Sequence, residues 1–239
     1  MRRPIFLSEV MEILPNGFTL EVPAGAFPLS TDSMVLIPFV RLPKNARILD
    51  LGSGCGTLGM LLCAQNEGCT ITGLEIDETA HLAALENIRR NALSLRMESI
   101  CADLRSVSER FSPGSFSVCV SNPPYFSGGP ASRNAPLARR EDLCSVRELM
   151  CSASYALKFG GDFFLVHRPE RLAELIAAGA EFALEAKRLQ LVRHRQDGPV
   201  SLILLQFRKG AKPGLHWEEI SLRFSDGSPT PAYREIYHL

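Results

Sequence analysis

One short segment constrains the fold of this chain more than any other. Residues 47–51 form an apolar strand pattern, and a helical pattern follows over 58–65. The turn between them reads Asp50-Leu51-Gly52-Ser53-Gly54-Cys55-Gly56. Glycines let the backbone adopt dihedral angles that other residues avoid and approach a ligand closely. A strand, a glycine turn and a helix in succession predict a βαβ unit with a ligand site at the turn.

The rest of the chain continues this alternation of strands and helices. Further strands are predicted over 70–75, 97–102, 116–121, 162–167, 189–193 and 200–207. Helices are predicted over 78–91, 142–158 and 169–179, the second of them ended by Gly160-Gly161. Such alternation is typical of a mostly parallel sheet, and the closing strand-loop-strand unit adds one antiparallel edge strand. We therefore predict a Rossmann-like α/β fold with seven strands and helices on both faces.

The α/β domain is expected to span residues 46–239, and residues 1–45 are expected to form an N-terminal extension to it. The two together would form a single structural domain. Asn16-Gly17 between two apolar segments favours a β-hairpin over 11–22. A short helix should follow, capped by Ser30 or Asp32. The last thirty residues are expected to form an irregular tail that contains a strand.

Composition excludes several classes of protein. Lysine plus arginine and aspartate plus glutamate each number 26, so the total charge does not indicate a strongly basic nucleic-acid binder. No apolar run approaches the length of a membrane helix, and Glu9 and Glu12 interrupt the apolar stretch after the N-terminus. We expect a cytoplasmic protein. The five histidines have no metal-ligand spacing, and no metal is expected.

Carboxylates indicate which ligand the glycine turn takes. Glu75 ends the next predicted strand, 23 residues after Gly52, where a carboxylate can accept both hydroxyls of a ribose. Asp50 beside the turn would repel a pyrophosphate but suits a cationic amino-acid moiety. This favours S-adenosylmethionine over a dinucleotide. Asp103, at the end of the third strand, either accepts an adenine amino hydrogen or caps a helix.

A second motif, Asn122-Pro123-Pro124-Tyr125-Phe126, follows the strand over 116–121. The two prolines stiffen an extended backbone. Such a segment holds the Asn122 amide oxygen and the Pro123 carbonyl in set directions, and two acceptors can grip a planar NH2 group. Tyr125 offers a ring on which a planar base or amide can stack.

These motifs, in this order, resemble the class I S-adenosylmethionine-dependent methyltransferases that methylate amino groups. The whole chain is similar to the bacterial tRNA1(Val) adenine-N6 methyltransferases, which modify the adenosine 3′ of the anticodon of a valine tRNA. The similarity includes the extension, where Ser30-Thr31-Asp32-Ser33 matches a Thr-Asp element, and the segment Ala138-Arg139-Arg140-Glu141. The C-terminal segment Tyr233-Arg234-Glu235-Ile236-Tyr237 is also similar.

The resemblance implies an N-methyltransferase that uses S-adenosylmethionine and takes tRNA as its partner. Asn122, Pro123, Pro124 and Tyr125 would be catalytic, and Phe126, Arg133 and Arg139 would contact the substrate. The expected cofactor-binding residues are Thr31, Asp32, Asp50, Gly52, Ser53, Gly54, Gly56, Glu75, Ile76, Asp103, Leu104 and Asn122.

Three questions stay open from the sequence: the group that is methylated, the role of a basic segment, and the oligomeric state. Asn-Pro-Pro-Tyr also occurs in release-factor methyltransferases, which modify a glutamine side-chain amide, because an amide and an aminopurine present the same NH2 geometry. Those enzymes carry a helical N-terminal domain, whereas this chain begins with a predicted hairpin. Residues 186–213 carry a local net charge of +6, which is either an RNA-binding face or a solvated surface. A monomer and a homodimer are both compatible with the sequence.

Overall fold

The computed structural model describes residues 9–14, 17–26, 28–123 and 144–237. Ten strands and seven helices lie within these ranges. The strands are β1 (Glu9–Ile13), β2 (Thr19–Pro23), β3 (Arg47–Leu51), β4 (Thr70–Glu75), β5 (Met97–Cys101), β6 (Phe116–Ser121), β7 (Leu157–His167), β8 (Leu184–Arg195), β9 (Val200–Lys209) and β10 (His216–Arg223). The helices are α1 (Thr31–Phe39), α2 (Thr57–Gln65), α3 (Glu78–Arg90), α4 (Val107–Arg110), α5 (Val146–Ala156), α6 (Leu172–Glu181) and α7 (Pro231–Tyr237).

Eight of these strands form one sheet in the order β10-β8-β9-β7-β6-β3-β4-β5. Only β9 runs against its neighbours, and it pairs with β7 on one side and β8 on the other. The carboxyl ends of the other seven strands therefore lie along the same edge. The mostly parallel sheet confirms the predicted fold class. Open α/β sheets bind their ligands at the edge formed by the carboxyl ends of the parallel strands, so a ligand site is expected there.

The strand count and the place of the antiparallel strand need correction. The tail beyond residue 209 contributes β10, which pairs parallel to β8 and becomes the edge strand. The sheet thus has eight strands, not seven, and β9 lies inside it. The sequence predicts a strand in this tail, but residues 216–219 of β10 are all exposed, so no continuous apolar run indicates its bounds or its place in the main sheet.

Both faces of the sheet are buried, in two hydrophobic clusters. In β6, Val118 and Val120 belong to one cluster while Cys119 belongs to the other. In β7, Phe164 and Phe163 divide in the same way. Side chains of a strand alternate between faces, so continuous apolar runs are what a sheet covered on both sides requires.

The expected helix over 142–158 is shorter than predicted among the described residues. It begins after Ser145, where Ser145 and Glu148 form a reciprocal capping box, and it ends at Ala156. The glycines expected to end it lie inside β7. A Cβ at Gly161 would approach the Ser117 carbonyl to 3.0 Å, beside an irregularity in the β6–β7 pairing. The glycines thus permit a bulge and do not cap a helix.

The predicted N-terminal hairpin and helix are present. Strands β1 and β2 pair antiparallel, with Gly17 at a φ of 84° in the connection and Asn16 outside the described residues. Ser30, one of the two predicted caps, accepts a hydrogen bond from the Ser33 amide at 3.3 Å. Hairpin and helix residues share the hydrophobic cluster that covers one face of the sheet.

Two asparagines, Asn87 in α3 and Asn91 at its C-terminal cap, attach the hairpin to the sheet domain. Asn87 is fully buried and binds the backbone of Glu21 through both amide atoms, at 2.7 and 3.0 Å. Its Nδ2 also donates to the Cys55 carbonyl of the glycine turn, at 3.0 Å. Asn91 binds the backbone of Thr19 in the same two-atom manner. The backbone N–H and C=O groups on the outer edge of β2 are thus hydrogen-bonded by side chains of the sheet domain.

Within the described ranges, no helix is long and apolar enough to cross a membrane.

Replacing Asn87 by alanine should destabilise the protein by about 2 to 4 kcal/mol, because three buried hydrogen bonds lose one partner. Urea unfolding measures the change. Leu85→Ala on the exposed face of the same helix is the control, with an expected loss below about 1 kcal/mol. Equal losses in the two variants would contradict the tethering role.

Candidate active site

The turn between β3 and α2 has the glycine geometry that its sequence predicts. Gly52, Gly54 and Gly56 have φ angles of 76°, 54° and 87°, which residues with a Cβ rarely adopt. The amides of Gly52 and Ser53 both donate to the Leu74 carbonyl at 2.9 Å. The turn is therefore attached to the end of β4.

Glu75 strengthens this attachment. One carboxylate oxygen accepts the Gly54 amide at 2.7 Å, and the other accepts the Asp77 amide at 2.8 Å. Burial raises the pKa of Glu75 above its ordinary value, although both amides act in the opposite direction. Each oxygen keeps a second lone pair for a further donor such as a ribose hydroxyl.

Asp50 is a fully buried acidic residue at the end of β3. Its side chain is 0% exposed, and neither carboxylate oxygen has a hydrogen-bond partner among the described residues. Burial, helped by the nearby charge of Glu75, raises the pKa of Asp50 to about 8. A buried carboxylate without a partner is costly, and a cation beside it would relieve the cost.

Asn122 follows β6 directly and is held by the N-terminal extension. Its Nδ2 donates to the Ser33 hydroxyl at 3.1 Å. Because the amide nitrogen is engaged there, the amide oxygen is presented as an acceptor. Ser121 fixes the strand end just before it by donating to the Leu51 carbonyl at 2.7 Å.

One cavity of about 480 Å³ joins the glycine turn, Asp50 and Asn122. Seven of the residues predicted from sequence line it: Asp32, Asp50, Gly52, Ser53, Gly54, Asn122 and Pro123. The lining also includes residues that sequence reasoning did not assign: Pro28, Ser30, Ser33, Cys55, Thr57, Leu58 and Arg168. Ser33 belongs to the Ser30-Thr31-Asp32-Ser33 element, but nothing in the neighbouring sequence indicates its contact with Asn122.

Five predicted cofactor residues besides Glu75 lie outside this lining. Thr31 accepts a hydrogen bond from the Tyr237 hydroxyl at 3.2 Å, and Gly56 caps α2. Ile76 is exposed just beyond Glu75. Leu104 begins a short 3₁₀ helix and packs against the second hydrophobic cluster.

Asp103, the fifth, caps that 3₁₀ helix by accepting the Arg105 amide at 2.8 Å. It also forms an ion pair with the Arg105 guanidinium at 2.5 Å. Burial raises the pKa of Asp103, but the hydrogen bonds from Arg105 outweigh it, so the pKa lies below its ordinary value. The carboxylate is therefore ionised, and the capping alternative raised from the sequence is present.

The remaining predicted site residues, Pro124, Tyr125, Phe126, Arg133 and Arg139, lie outside the described residues.

The donor set fits S-adenosylmethionine. That molecule carries an ammonium, a cationic sulfur, a carboxylate and a ribose. Asp50 is a buried carboxyl group whose ionised form a cation would stabilise, the glycine turn leaves space for close approach, and Glu75 has acceptor capacity at the end of the next strand. Among the described residues no group of three or more His, Cys, Asp or Glu could hold a metal ion.

Fold and site together define a class I methyltransferase. Solved structures support the fold. A predicted O-methyltransferase from Agrobacterium tumefaciens superposes with a TM-score of 0.73 at 23% identity, covering 87% of this chain and 96% of that one. A 16S rRNA methyltransferase from T. thermophilus, in complex with AdoMet and guanosine, gives a TM-score of 0.60 at 20% identity, covering 86% of this chain and 51% of that one.

Sequence comparison identifies the family of methyltransferases to which the chain belongs. Residues 28–182 match the methyltransferase small domain. A protein from Bacteroides fragilis named tRNA1(Val) (adenine(37)-N6)-methyltransferase is 31% identical over 80% of this chain and 81% of its own length. A Serratia proteamaculans protein of the same name is 28% identical over 88% of this chain and 82% of its own. The chain belongs to the methyltransferase small domain family and, within it, to the family of these tRNA1(Val) methyltransferases.

Asp50→Asn should stabilise the ligand-free protein increasingly as the pH rises. In the wild type the folded state holds this proton up to about pH 8, whereas the unfolded chain releases it near the ordinary value of 3.8. Stability from this group is therefore lost progressively between those two pH values. Thermal melting across that range should show a growing difference between the variants, which levels off above about pH 8. A difference that does not change with pH would contradict the raised pKa.

The same variant should bind S-adenosylmethionine at least tenfold more weakly, because a neutral amide replaces the carboxylate that faces the cation. Isothermal titration calorimetry at pH 8.5 makes the comparison where wild-type Asp50 is mostly ionised. Unchanged affinity would contradict the proposed contact.

Proposed function

We propose that this protein transfers a methyl group from S-adenosylmethionine to the N6 amino group of an adenosine in tRNA, next to the anticodon of a valine tRNA. The observation that carries the proposal is the shared cavity. It joins an unpartnered buried carboxylate, Asp50, to an oriented amide acceptor, Asn122. The names of the relatives supply the substrate.

In this proposal the cofactor lies over the carboxyl ends of β3, β4 and β5. Asp50 faces the ammonium of the methionine moiety, and Asp32 and Thr31 cover it from the extension. Gly52, Ser53, Gly54 and Gly56 provide the close approach. Glu75 accepts the ribose hydroxyls, and Ile76, Asp103 and Leu104 border the adenine.

Asn122 and Pro123 would bind the target NH2 group. Their two carbonyl oxygens accept its hydrogens and draw the nitrogen lone pair out of conjugation with the ring. When bound, S-adenosylmethionine supplies an electrophilic methyl group on a cationic sulfur. Transfer would join the target nitrogen to that methyl carbon as the carbon–sulfur bond breaks, with the electron pair of the broken bond left on sulfur. The resulting ammonium loses its proton to water, so positioning provides most of the rate enhancement.

The family resemblance implies roles for the predicted site residues that lie outside the described ranges. Pro124 would stiffen the motif, and Tyr125 would stack on an adenine turned out of the anticodon loop. Phe126 packs beside the base, and Arg133 and Arg139 contact phosphates. Residues 1–45 and 46–239 would act as one structural unit in the cytoplasm, as a monomer or a homodimer.

The direct test is methyl transfer from radiolabelled S-adenosylmethionine to total tRNA from a strain that lacks this gene, followed by nucleoside mass spectrometry. N6-methyladenosine in one tRNA supports the proposal. Label in a protein fraction and not in RNA would instead support methylation of a glutamine amide, which the names of the relatives do not favour.

Asn122→Ala should lower kcat at least a hundredfold, because the NH2 group loses an oriented acceptor. Its Kd for S-adenosylmethionine should change less than twofold. Ser33→Ala should lower kcat by a smaller factor, roughly tenfold, because it removes only the group that orients Asn122. Ser115→Ala, at a partly exposed serine remote from the cavity, is the control for the assays. A large rise in Kd in Asn122→Ala would mean that this residue serves the cofactor.

Glu75→Ala should show the reverse pattern. Loss of the carboxylate removes the ribose acceptor and one attachment of the glycine turn, so the Kd for S-adenosylmethionine should rise at least tenfold. Calorimetry measures it, and an unchanged Kd would rule out the ribose assignment.

A further inference from the structure

The fold divides the basic segment 186–213 between the two edges formed by the ends of the strands. The cavity edge is formed by the carboxyl ends of the parallel strands, and the remote edge lies at their amino ends. Strands β8 and β9 form an antiparallel hairpin, in which Leu184 pairs with Lys209 and Arg193 pairs with Val200. The start of β8 and the end of β9 therefore lie at the edge remote from the cavity. That remote cluster contains Lys187, Arg188, Arg208, Lys209 and Lys212. Seven residues of strand separate Arg188 from Arg195, a distance of about 23 Å.

Several cations of the remote cluster have structural partners. Arg208 pairs with Asp162 at 2.8 Å, and Lys209 donates to the Ser154 and Leu157 carbonyls at 2.6 and 2.9 Å. Arg188 lies over the Phe39 ring, with its guanidinium carbon 4.2 Å from the ring centroid. The +6 charge of the segment is thus largely a structural feature of the far edge, not a surface beside the catalytic motif.

Three arginines, Arg168, Arg193 and Arg195, lie at the cavity edge. Arg193 and Arg195 are paired with Glu219 and Asp197, at 2.5 and 3.2 Å. Arg168 is the one basic residue among the described residues that line the cavity. It lies just past the end of β7, the neighbour of the strand that leads into Asn122.

Three constraints hold Arg168 in place. Its amide donates to Nδ1 of the preceding His167 at 2.8 Å. Pro169 restricts it to the extended conformation observed, with φ −76° and ψ 143°. Its guanidinium Nη1 donates to the Ser201 carbonyl of β9 at 3.3 Å. The backbone is fixed while the side chain is exposed at the cavity, and a pre-positioned cation binds an anion with less loss of entropy.

His167 is suited to this task because it remains neutral. Its side chain is buried, and burial together with the charge of Arg171 lowers its pKa to about 4. Nδ1 therefore stays an acceptor for the Arg168 amide at neutral pH, with the ring proton on Nε2.

Sheet order indicates which anion Arg168 meets. The glycine turn and Glu75 follow β3 and β4, on one side of β6, whereas β7 lies on the other side. From the register of Ser121 with Leu165, Arg168 extends about 7 Å beyond the level of Asn122. Arg168 therefore lies on the side of Asn122 away from the glycine turn. The molecule that carries the target base would bind on that side, and the anionic groups of an RNA are its phosphates.

We propose that Arg168 binds a backbone phosphate of the RNA beside the target adenosine, and that the RNA follows the cavity edge of the sheet and not the remote cluster. The inference rests on the proposed function. It identifies a substrate-binding residue that fixes the register of the RNA while contributing nothing to base identity.

The test compares Arg168→Ala with Lys212→Ala, a charge-matched control in which an exposed lysine of the remote cluster is removed. An unmodified valine tRNA transcript is titrated at several salt concentrations. We expect Arg168→Ala to raise the KM for tRNA roughly tenfold and to reduce the slope of log affinity against log salt by about one. Its Kd for S-adenosylmethionine and its melting midpoint should be unchanged. Arg168→Lys should retain the wild-type salt slope, and Lys212→Ala should match the wild type throughout.

Three results would overturn the inference. A weaker Kd for S-adenosylmethionine in Arg168→Ala with an unchanged KM for tRNA would place the contact on the cofactor carboxylate. Wild-type values in both measurements would show that no anion is bound there. Equal losses in Arg168→Ala and Lys212→Ala would show that the charge acts without a local contact. In all three cases the wild type still methylates tRNA, whereas failure of the wild type itself would reject the proposed function.

Discussion

The site depends on the attachment of the glycine turn to the end of β4. Leu74 accepts two backbone amides of the turn and Glu75 accepts a third, so three glycines with positive φ are held in one conformation. This arrangement leaves Asp50 buried beneath the cavity with no hydrogen-bond partner among the described residues. Burial raises the pKa of Asp50, so the ligand-free protein holds a proton there at neutral pH. A cationic ligand beside this residue would favour its ionised form, and strongly perturbed acids of this kind are common at functional sites.

The N-terminal extension is part of this machinery. Asn87 connects the hairpin to the glycine turn through the Glu21 backbone and the Cys55 carbonyl. Farther along, Ser33 receives the Asn122 amide across 89 residues of sequence. The glycine turn and the residue that follows β6 are thus each tied to the same small extension. Removing either brace changes the orientation of a functional group without removing the group.

Much of the architecture could be predicted because the strands carry continuous apolar runs. Strands β3, β4 and β6 have the predicted bounds, as buried parallel strands are the clearest signal in an α/β chain. The errors have physical causes. Gly160-Gly161 are equally suited to a helix end and to a bulge, and only the neighbouring strand decides between them. A strand is expected in the tail, but β10 is exposed over its first half, so no continuous apolar run indicates its bounds or its pairing with β8.

The sequence by itself determined the glycine turn, the acids at the strand ends and the acceptor motif, because backbone dihedral limits and residue chemistry act over a few adjacent positions. The tertiary structure alone decided which distant groups meet. It brought Ser33 to Asn122, engaged Asp103 with Arg105, and placed Arg168 at the cavity. It also divided a basic segment that is continuous in sequence, because an antiparallel hairpin carries its two ends to the edge of the sheet opposite its turn. Charge adjacent along the chain is not charge adjacent in space.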